Sequence, residues 1–325
     1  MRMKRFLAGV LVSIMCVMLV ACQNDSVIKN NDAKTENTDV TQNSTASPLL
    51  YRVTDENGNV IWLFGSIHVG REDYYPLPKY VLDAFEDADS LAVELDLLAV
   101  EKDMKLQMKA LSQLIYYDGS KIQDHIPQDL YEKSVAILDS YGISMKALES
   151  YCPAFWASMI ESLMMSELGG DVNLGIDRHL INMAYESEKE VLEIESAEFQ
   201  YKMLADFDDD VQILLLESAV ESYEDKEKAA EEIKMLMDSW AEGDTLIEYL
   251  NASDDTMTAE EAQVYEKYNQ AMVTDRNLNM TEFAEDALSD GEEIFICVGA
   301  AHVVGDGAMA DLLAERGYTV ECITE

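Results

Sequence analysis

The chain is short of positive charge. Its 325 residues hold 23 lysines and arginines against 64 aspartates and glutamates, a formal net charge of −41. The few cations form no patch, so nucleic acid is a poor partner, and an anionic membrane surface would repel the folded part. Histidine is scarcer still, with only His68, His125, His179 and His302. There is no His-Glu-x-x-His, no Gly-x-Ser-x-Gly and no Cys-x-x-Cys. Ordinary zincin, serine-hydrolase and thioredoxin chemistry is therefore unsupported.

The N-terminus is built for export. Arg2, Lys4 and Arg5 precede an apolar run, Phe6 to Val20, too short to span a membrane comfortably, and Leu19-Val-Ala-Cys22 then reads as a lipobox. Residues 1–21 are expected to be a lipoprotein signal peptide. Cys22 would carry the lipid and hold the exported chain on the outer face of the cytoplasmic membrane. An uncleaved anchor is the alternative, and both export the rest. Residues 22–48 are polar almost throughout, which predicts a flexible tether. The folded domain should occupy residues 49–325. Of its three cysteines, Cys297 and Cys322 fall in apolar strands and Cys152 in a helical region. Buried free thiols are expected, with a Cys297–Cys322 bridge as the alternative.

Along the domain, Leu50–Val53 and Val60–Phe64 flank Asp55-Glu-Asn-Gly58 as a hairpin. A loop, a helix over 79–88 and a strand at Leu91–Leu95 complete a first βαβ-like unit. Residues 97–290 are mostly helical, interrupted by one strand at Glu190–Ile194. The acidic stretch 205–260 predicts a helical subdomain or lid, with a mobile connection at Asn251–Asp255. Strand Ile294–Val298, a loop carrying His302, a helix over 307–316 stopped by Gly317, and strand Tyr318–Ile323 form the second unit. The fold class is α/β (α+β): a central mixed, partly parallel sheet of two βαβ-like halves with a large helical middle segment.

Both halves end a strand in the same way. Ile61-Trp-Leu-Phe-Gly65-Ser-Ile-His68 and Ile294-Phe-Ile-Cys-Val-Gly299-Ala-Ala-His302 each run an apolar strand into Gly-x-x-His. Strand ends are where open α/β sheets place their sites. With Tyr75-Pro-Leu-Pro78, Leu91-Ala-Val-Glu-Leu-Asp96, Gly175-Ile-Asp177, Glu193-Ile-Glu-Ser-Ala-Glu198 and Asp275-Arg-Asn277, the chain resembles the TraB/GumN family over residues 49–325. That family includes the Wnt-cleaving TIKI proteases and is related to the erythromycin-esterase-like and ChaN-like folds. Asp275 stands where the family usually has glutamate.

His68 and His302 are candidate metal ligands or general bases. Glu94, in an apolar strand, is costly to bury unless paired or metal-bound; Asp96 either shares its face or merely opens the next loop. Glu195 is preferred over Glu193, which could be a solvated strand residue. Asp177 is either a helix N-cap or a site carboxylate. Arg276 could hold a carboxylate, stabilise an oxyanion, or simply pair with Glu266 or Glu282, with Asn277 beside it. Gly65, Ser66 and Gly299 are supporting positions; His179 and His125 are placed outside the centre. Asp206–Glu217 imitates a calcium loop but has Val211 where glycine is required, so it reads as an acidic helix start. Gly305-Asp-Gly307 comes too late after its strand for a dinucleotide turn.

The resemblance implies an extracytoplasmic hydrolase of peptide or amide bonds using one divalent ion, Mn²⁺, Co²⁺ or Zn²⁺. His68, His302 and Glu94 or Glu195 would hold the ion, the remaining carboxylate would act as base, and Arg276 would steady the oxyanion. Its substrate would be a peptide or protein. A non-catalytic surface binder that sequesters a peptide is the alternative, and a haem binder a weaker one.

Overall fold

A computed structural model describes residues 44–168, 171–252 and 257–324. The leader, Cys22, the first part of the tether and most of the connection expected at Asn251–Asp255 lie outside the described residues. The end of the tether does not behave as one: Ala46 is buried, the Ser47 N–H donates to the Ala241 carbonyl, and the Tyr80 hydroxyl donates to the Pro48 carbonyl.

The sheet comes first from a hairpin, β1 (Leu50–Thr54) and β2 (Val60–Ser66), paired antiparallel across the Asp55–Gly58 turn. Asp55 fixes that turn by accepting from the N–H groups of Asn57 and Asn59. Helix α1 (Lys79–Asp87) then leads to β3 (Ser90–Val93). The chain next builds α2 (Leu97–Lys102), α3 (Met104–Leu111), α4 (Gln128–Ser140), α5 (Met145–Leu148), α6 (Pro153–Glu167) and α7 (Ile176–Glu186), and returns as β4 (Glu190–Glu193). Helices α8 (Ala197–Ala205), α9 (Asp209–Glu224), α10 (Lys226–Glu242), α11 (Asp244–Asn251), α12 (Ala259–Asn269) and α13 (Asp275–Asp290) follow. The chain closes with β5 (Ile294–Gly299), the single turn α14 (Ala300–Val303), α15 (Met309–Glu315) and β6 (Thr319–Ile323).

The six strands lie in the order β4-β3-β5-β2-β1-β6, and only β1 runs against the rest. The mixed sheet and helical middle agree with the sequence reading, but neither βαβ-like unit closes on its own neighbour. Strand β5 inserts between β2 and β3, and β6 crosses to the far edge beside β1. Burial on both faces explains β5: all six of its residues are buried, and a strand so apolar belongs at the centre. Its side chains alternate, with Phe295 and Cys297 joining Phe64, Phe85 and Trp240 on one face. Ile294, Ile296 and Val298 join Leu63, Met280 and Leu313 on the other. Each large side chain so buried contributes about 1.5–3 kcal/mol relative to exposure.

Strand order also decides the cysteines. Strands β2 and β1 separate Cys297 from Cys322, so the alternative bridge is impossible, and all three described thiols are free. Cys322 is exposed on the edge strand β6, against the expectation of a buried thiol; its neighbours Glu321 and Thr319 are exposed too, so this strand has little apolar cover.

The acidic 205–260 region is helical. Asp208 caps α9 by accepting from the Val211 N–H, so the imitation calcium loop is a helix start. Helix α10 is packed against the sheet: Trp240 is buried, and its indole N–H donates to the Gly65 carbonyl at 2.8 Å.

Candidate functional site

Two glycines set the geometry at the ends of β2 and β5. A Cβ on Gly65 would sit 2.9 Å from the Ala300 Cα, so its absence lets α14 lie directly on β2. The Gly299 N–H points into the site and donates to Glu94 Oε1 at 2.6 Å. His302, expected in a loop, is instead held on the one-turn helix α14 and is buried.

Glu94 and Glu195 are brought together by continued pairing just beyond β3 and β4. The Ile194 N–H donates to the Val93 carbonyl, and the Glu195 N–H to that of Glu94. Two adjacent buried carboxylates would repel, and Arg276 resolves this. Its Nε donates to Glu195 Oε1 at 2.7 Å, and its Nη2 donates to Glu195 Oε2 at 2.8 Å and to Glu94 Oε2. The pairing with Glu266 or Glu282 is thus replaced by one with Glu94 and Glu195. Gln200, on the inward face of α8, donates to both carboxylates. Burial opposes ionisation of Glu94, but the Arg276 charge foremost, then the two nearby histidines and the Gly299 N–H, outweigh it and hold the carboxyl below its usual range.

Arg276 follows a π-helical turn, Gln270–Thr274, that interrupts an otherwise continuous helix between α12 and α13. Its Nη1 donates to the Met272 carbonyl within that turn at 3.1 Å. With 1% exposure and these bonds, the guanidinium takes the first of the roles expected of it, holding carboxylates. It orients the carboxylates.

The protonation of His302 follows from its neighbours. The Asn277 Nδ2 donates to the Gly307 carbonyl at 2.9 Å, which turns Oδ1 toward His302 Nδ1 at 2.7 Å. Nδ1 must therefore carry the hydrogen. Burial, reinforced by Arg276, pushes the imidazole down to about 3, so the ring is neutral and Nε2 bears a lone pair. Nε2 lies 3.9 Å from Glu94 Oε1. With a neutral ring the contact is no ion pair; two acceptors lie near each other.

His68 is tied to Asp177, with Nδ1 donating to Oδ2 at 2.8 Å. Gly175 makes this possible. A Cβ there would lie 2.7 Å from the His68 carbonyl, and the Ile176 N–H donates to the Ile67 carbonyl, docking the start of α7 on the end of β2. Gly175 is the N-cap, so Asp177 is not. The second oxygen of Asp177 is buried without a hydrogen-bond partner. His68 lies close enough to act electrostatically on both Glu94 and His302.

Other candidates fall elsewhere. Asp96 caps α2 through the Ala99 N–H and also takes the Tyr185 hydroxyl. Glu193 accepts from the Asp96 N–H, and Asp275 is exposed and bonded to Gln270. Ser66 is buried against the Cys297 thiol. His179 packs on Tyr75, and His125 stacks on Tyr116. Sequence reasoning missed Gln200; its signal was a polar residue on a helix face otherwise made of Ala197, Tyr201 and Leu204. Among the described residues no three His, Cys, Asp or Glu side chains form a group ready to hold a metal ion.

A sequence model of the TraB/PrgY/gumN family matches residues 49–322. The chain is similar to "Uncharacterized protein YbaP" of Escherichia coli K12, with 27% identity over 256 residues, 77% of this chain and 86% of that protein. The protein of the same description from Shigella flexneri gives the same figures. No solved structure matches the chain.

Proposed function

This chain belongs to the TraB/PrgY/gumN family, and from that premise we propose that the buried cluster at the strand ends serves a metal-dependent hydrolase of peptide or amide bonds. The observation that supports it most is the pair of acceptors, His302 Nε2 and Glu94 Oε1, 3.9 Å apart. Glu94 Oε1 already accepts from the Gly299 N–H, and its remaining lone pair with that of His302 Nε2 would give a cation or a proton two electron-pair donors there. Charge balance leaves room for a cation: Glu94 and Glu195 carry two negative charges against one guanidinium, and Asp177 adds a third that His68 answers only when protonated. His302, Glu94 and His68 would hold the ion, and would have to draw closer to do so, because no ready three-ligand group stands among the described residues. Each imidazole is steered through Nδ1 by an acceptor, Asn277 or Asp177, as metal-bound histidines are.

Bound there, a divalent ion supplies Lewis-acid polarisation of a carbonyl and lowers the pKa of water. The rest is the work of the protein. Arg276 pins Glu94 Oε2, so that Oε1 stays turned toward His302. Glu195 remains the candidate base, though both its oxygens now accept from Arg276 or Gln200 and one must be released to take a proton. That same commitment favours the second reading, a binder that sequesters a peptide without cutting it. In either case we read the exported lipoprotein, anchored through Cys22, as its setting.

The test is metal content of the full-length chain after dialysis and reloading with Mn²⁺, Co²⁺ or Zn²⁺, together with a peptide-library cleavage screen. About one ion per chain, lost in both His68→Ala and His302→Ala, and metal-dependent cleavage would support the hydrolase. Retention that ignores both substitutions would sink it. Peptide binding without turnover would select the binder.

A further inference from the structure

A cleft of about 260 Å³ opens beside α14, between the α12–α13 helix and the loop that follows His302. None of His68, Glu94, Glu195, Arg276 or His302 lines it, but it adjoins the cluster through Asn277 and the residues that precede His302. Ala300 and Ala301, directly before His302, form one wall. Asn277, which fixes the His302 tautomer, forms part of another. Tyr268, buried and within electrostatic reach of Arg276, closes it on a third side.

The lining is unlike the rest of the molecule. Charged residues make up 27% of the chain, which for seventeen lining residues would mean four or five. Among the described residues there is one, Asp306, exposed at the rim and held by the Asn251 side-chain amide at 3.1 Å. Three tyrosines, Tyr249, Tyr265 and Tyr268, line the cleft together with three asparagines, Thr274 and aliphatic side chains. A lysine or glutamate entering would lose its hydration, and among the described residues the interior of the cleft offers no charge to replace it, Asp306 standing at the rim. An aromatic ring would find edge and face partners worth about 0.5–1.5 kcal/mol beyond the area it buries. The volume is below the roughly 300–1,000 Å³ of sites for whole small molecules, and suits a single side chain.

We propose that this cleft is a specificity subsite that receives one uncharged aromatic side chain of a peptide and so sets the adjoining backbone beside His302. The proposal rests on the peptide-directed reading above and narrows its substrate class. It also separates the selectivity of the site from the net charge of −41, which by itself would favour basic peptides.

The probes are N-acetyl amides of phenylalanine, tyrosine, lysine and glutamate, titrated against the full-length chain in detergent by saturation-transfer NMR. The aromatic probes should bind at least ten-fold more tightly than the charged ones. Asn269→Trp, which fills the cleft from α12, should abolish that binding. His302→Gln, which removes the proposed chemistry, should leave it within about two-fold. If Asn269→Trp fails to give a native circular-dichroism spectrum, Thr274→Phe fills the same space and replaces it. Equal binding of charged and aromatic probes, no binding of any, or binding indifferent to the filled cleft would overturn the subsite. Aromatic selectivity without metal retention or cleavage would instead overturn the hydrolase and leave the cleft as the pocket of a binder. Metal-dependent cleavage without aromatic preference would overturn the subsite alone.

Discussion

Arg276 sits between two buried carboxylates that could not both remain charged without it. Replacing it by methionine keeps the bulk but leaves Glu94 and Glu195 facing each other with one amide, Gln200, between them. Removing one partner from a buried ion pair costs about 3–5 kcal/mol. Arg276→Met should lower the urea midpoint accordingly, and an unchanged midpoint would mean that the carboxylates are wetter than their burial indicates. His302 gives a pH signature. Its unfolded imidazole takes a proton near 6.5 and its folded one only near 3, so unfolding takes up a proton between those values. Stability should fall as pH drops from about 6.5 toward 3. The slope in that window should be shallower in His302→Gln, measured by urea unfolding at a series of pH values.

At the scale of elements, the close seat of α14 on β2 depends on the bare Cα of Gly65. Gly65→Val should push α14 outward, costing about 1–3 kcal/mol by overpacking and releasing His302 from Asn277. Thermal unfolding, with the histidine ring signals followed by NMR, would report both effects. Helix α6 carries the opposite pH dependence to His302. Glu161 is buried there, and burial pushes its carboxyl up to about 8. The folded state keeps this proton while the unfolded one loses it near 4.5, so this group weakens the fold as pH rises from 4.5 to 8. Glu161→Gln should flatten that decline. If its stability profile matches the wild type above pH 5, the carboxyl is solvated.

For the whole molecule, charge sets the conditions of stability. With 64 acidic and 23 basic residues, the compact state repels itself more than the expanded one. Salt screens such repulsion within about 8 Å at 0.15 M. The melting temperature should therefore rise between 10 and 150 mM NaCl by scanning calorimetry, and a fall would show that surface ion pairs such as Arg71–Asp238 outweigh the repulsion.

Sequence determined what depends on local pattern. Apolar runs ending in Gly-x-x-His marked β2 and β5, helical periodicity marked α1, α6 and α7, and Asp55–Gly58 marked the hairpin, because each signal is set by neighbours in the chain. Burying a carboxylate in Leu91-Ala-Val-Glu-Leu95 already demanded a partner for Glu94, so much of the site was legible as a list of residues. Which partner each one found was not. That β5 lies between β2 and β3 comes from its apolar character on both faces, and this order is what carries His302 to Glu94. Asp96 and Asp177 looked alike in sequence, yet packing made one a helix cap and the other the support of His68. Gln200 was invisible because it acts only where α8 folds back over two strand ends. Sequence records which groups need compensation; the tertiary structure decides which groups provide it, since hydrogen bonds and charges act through space.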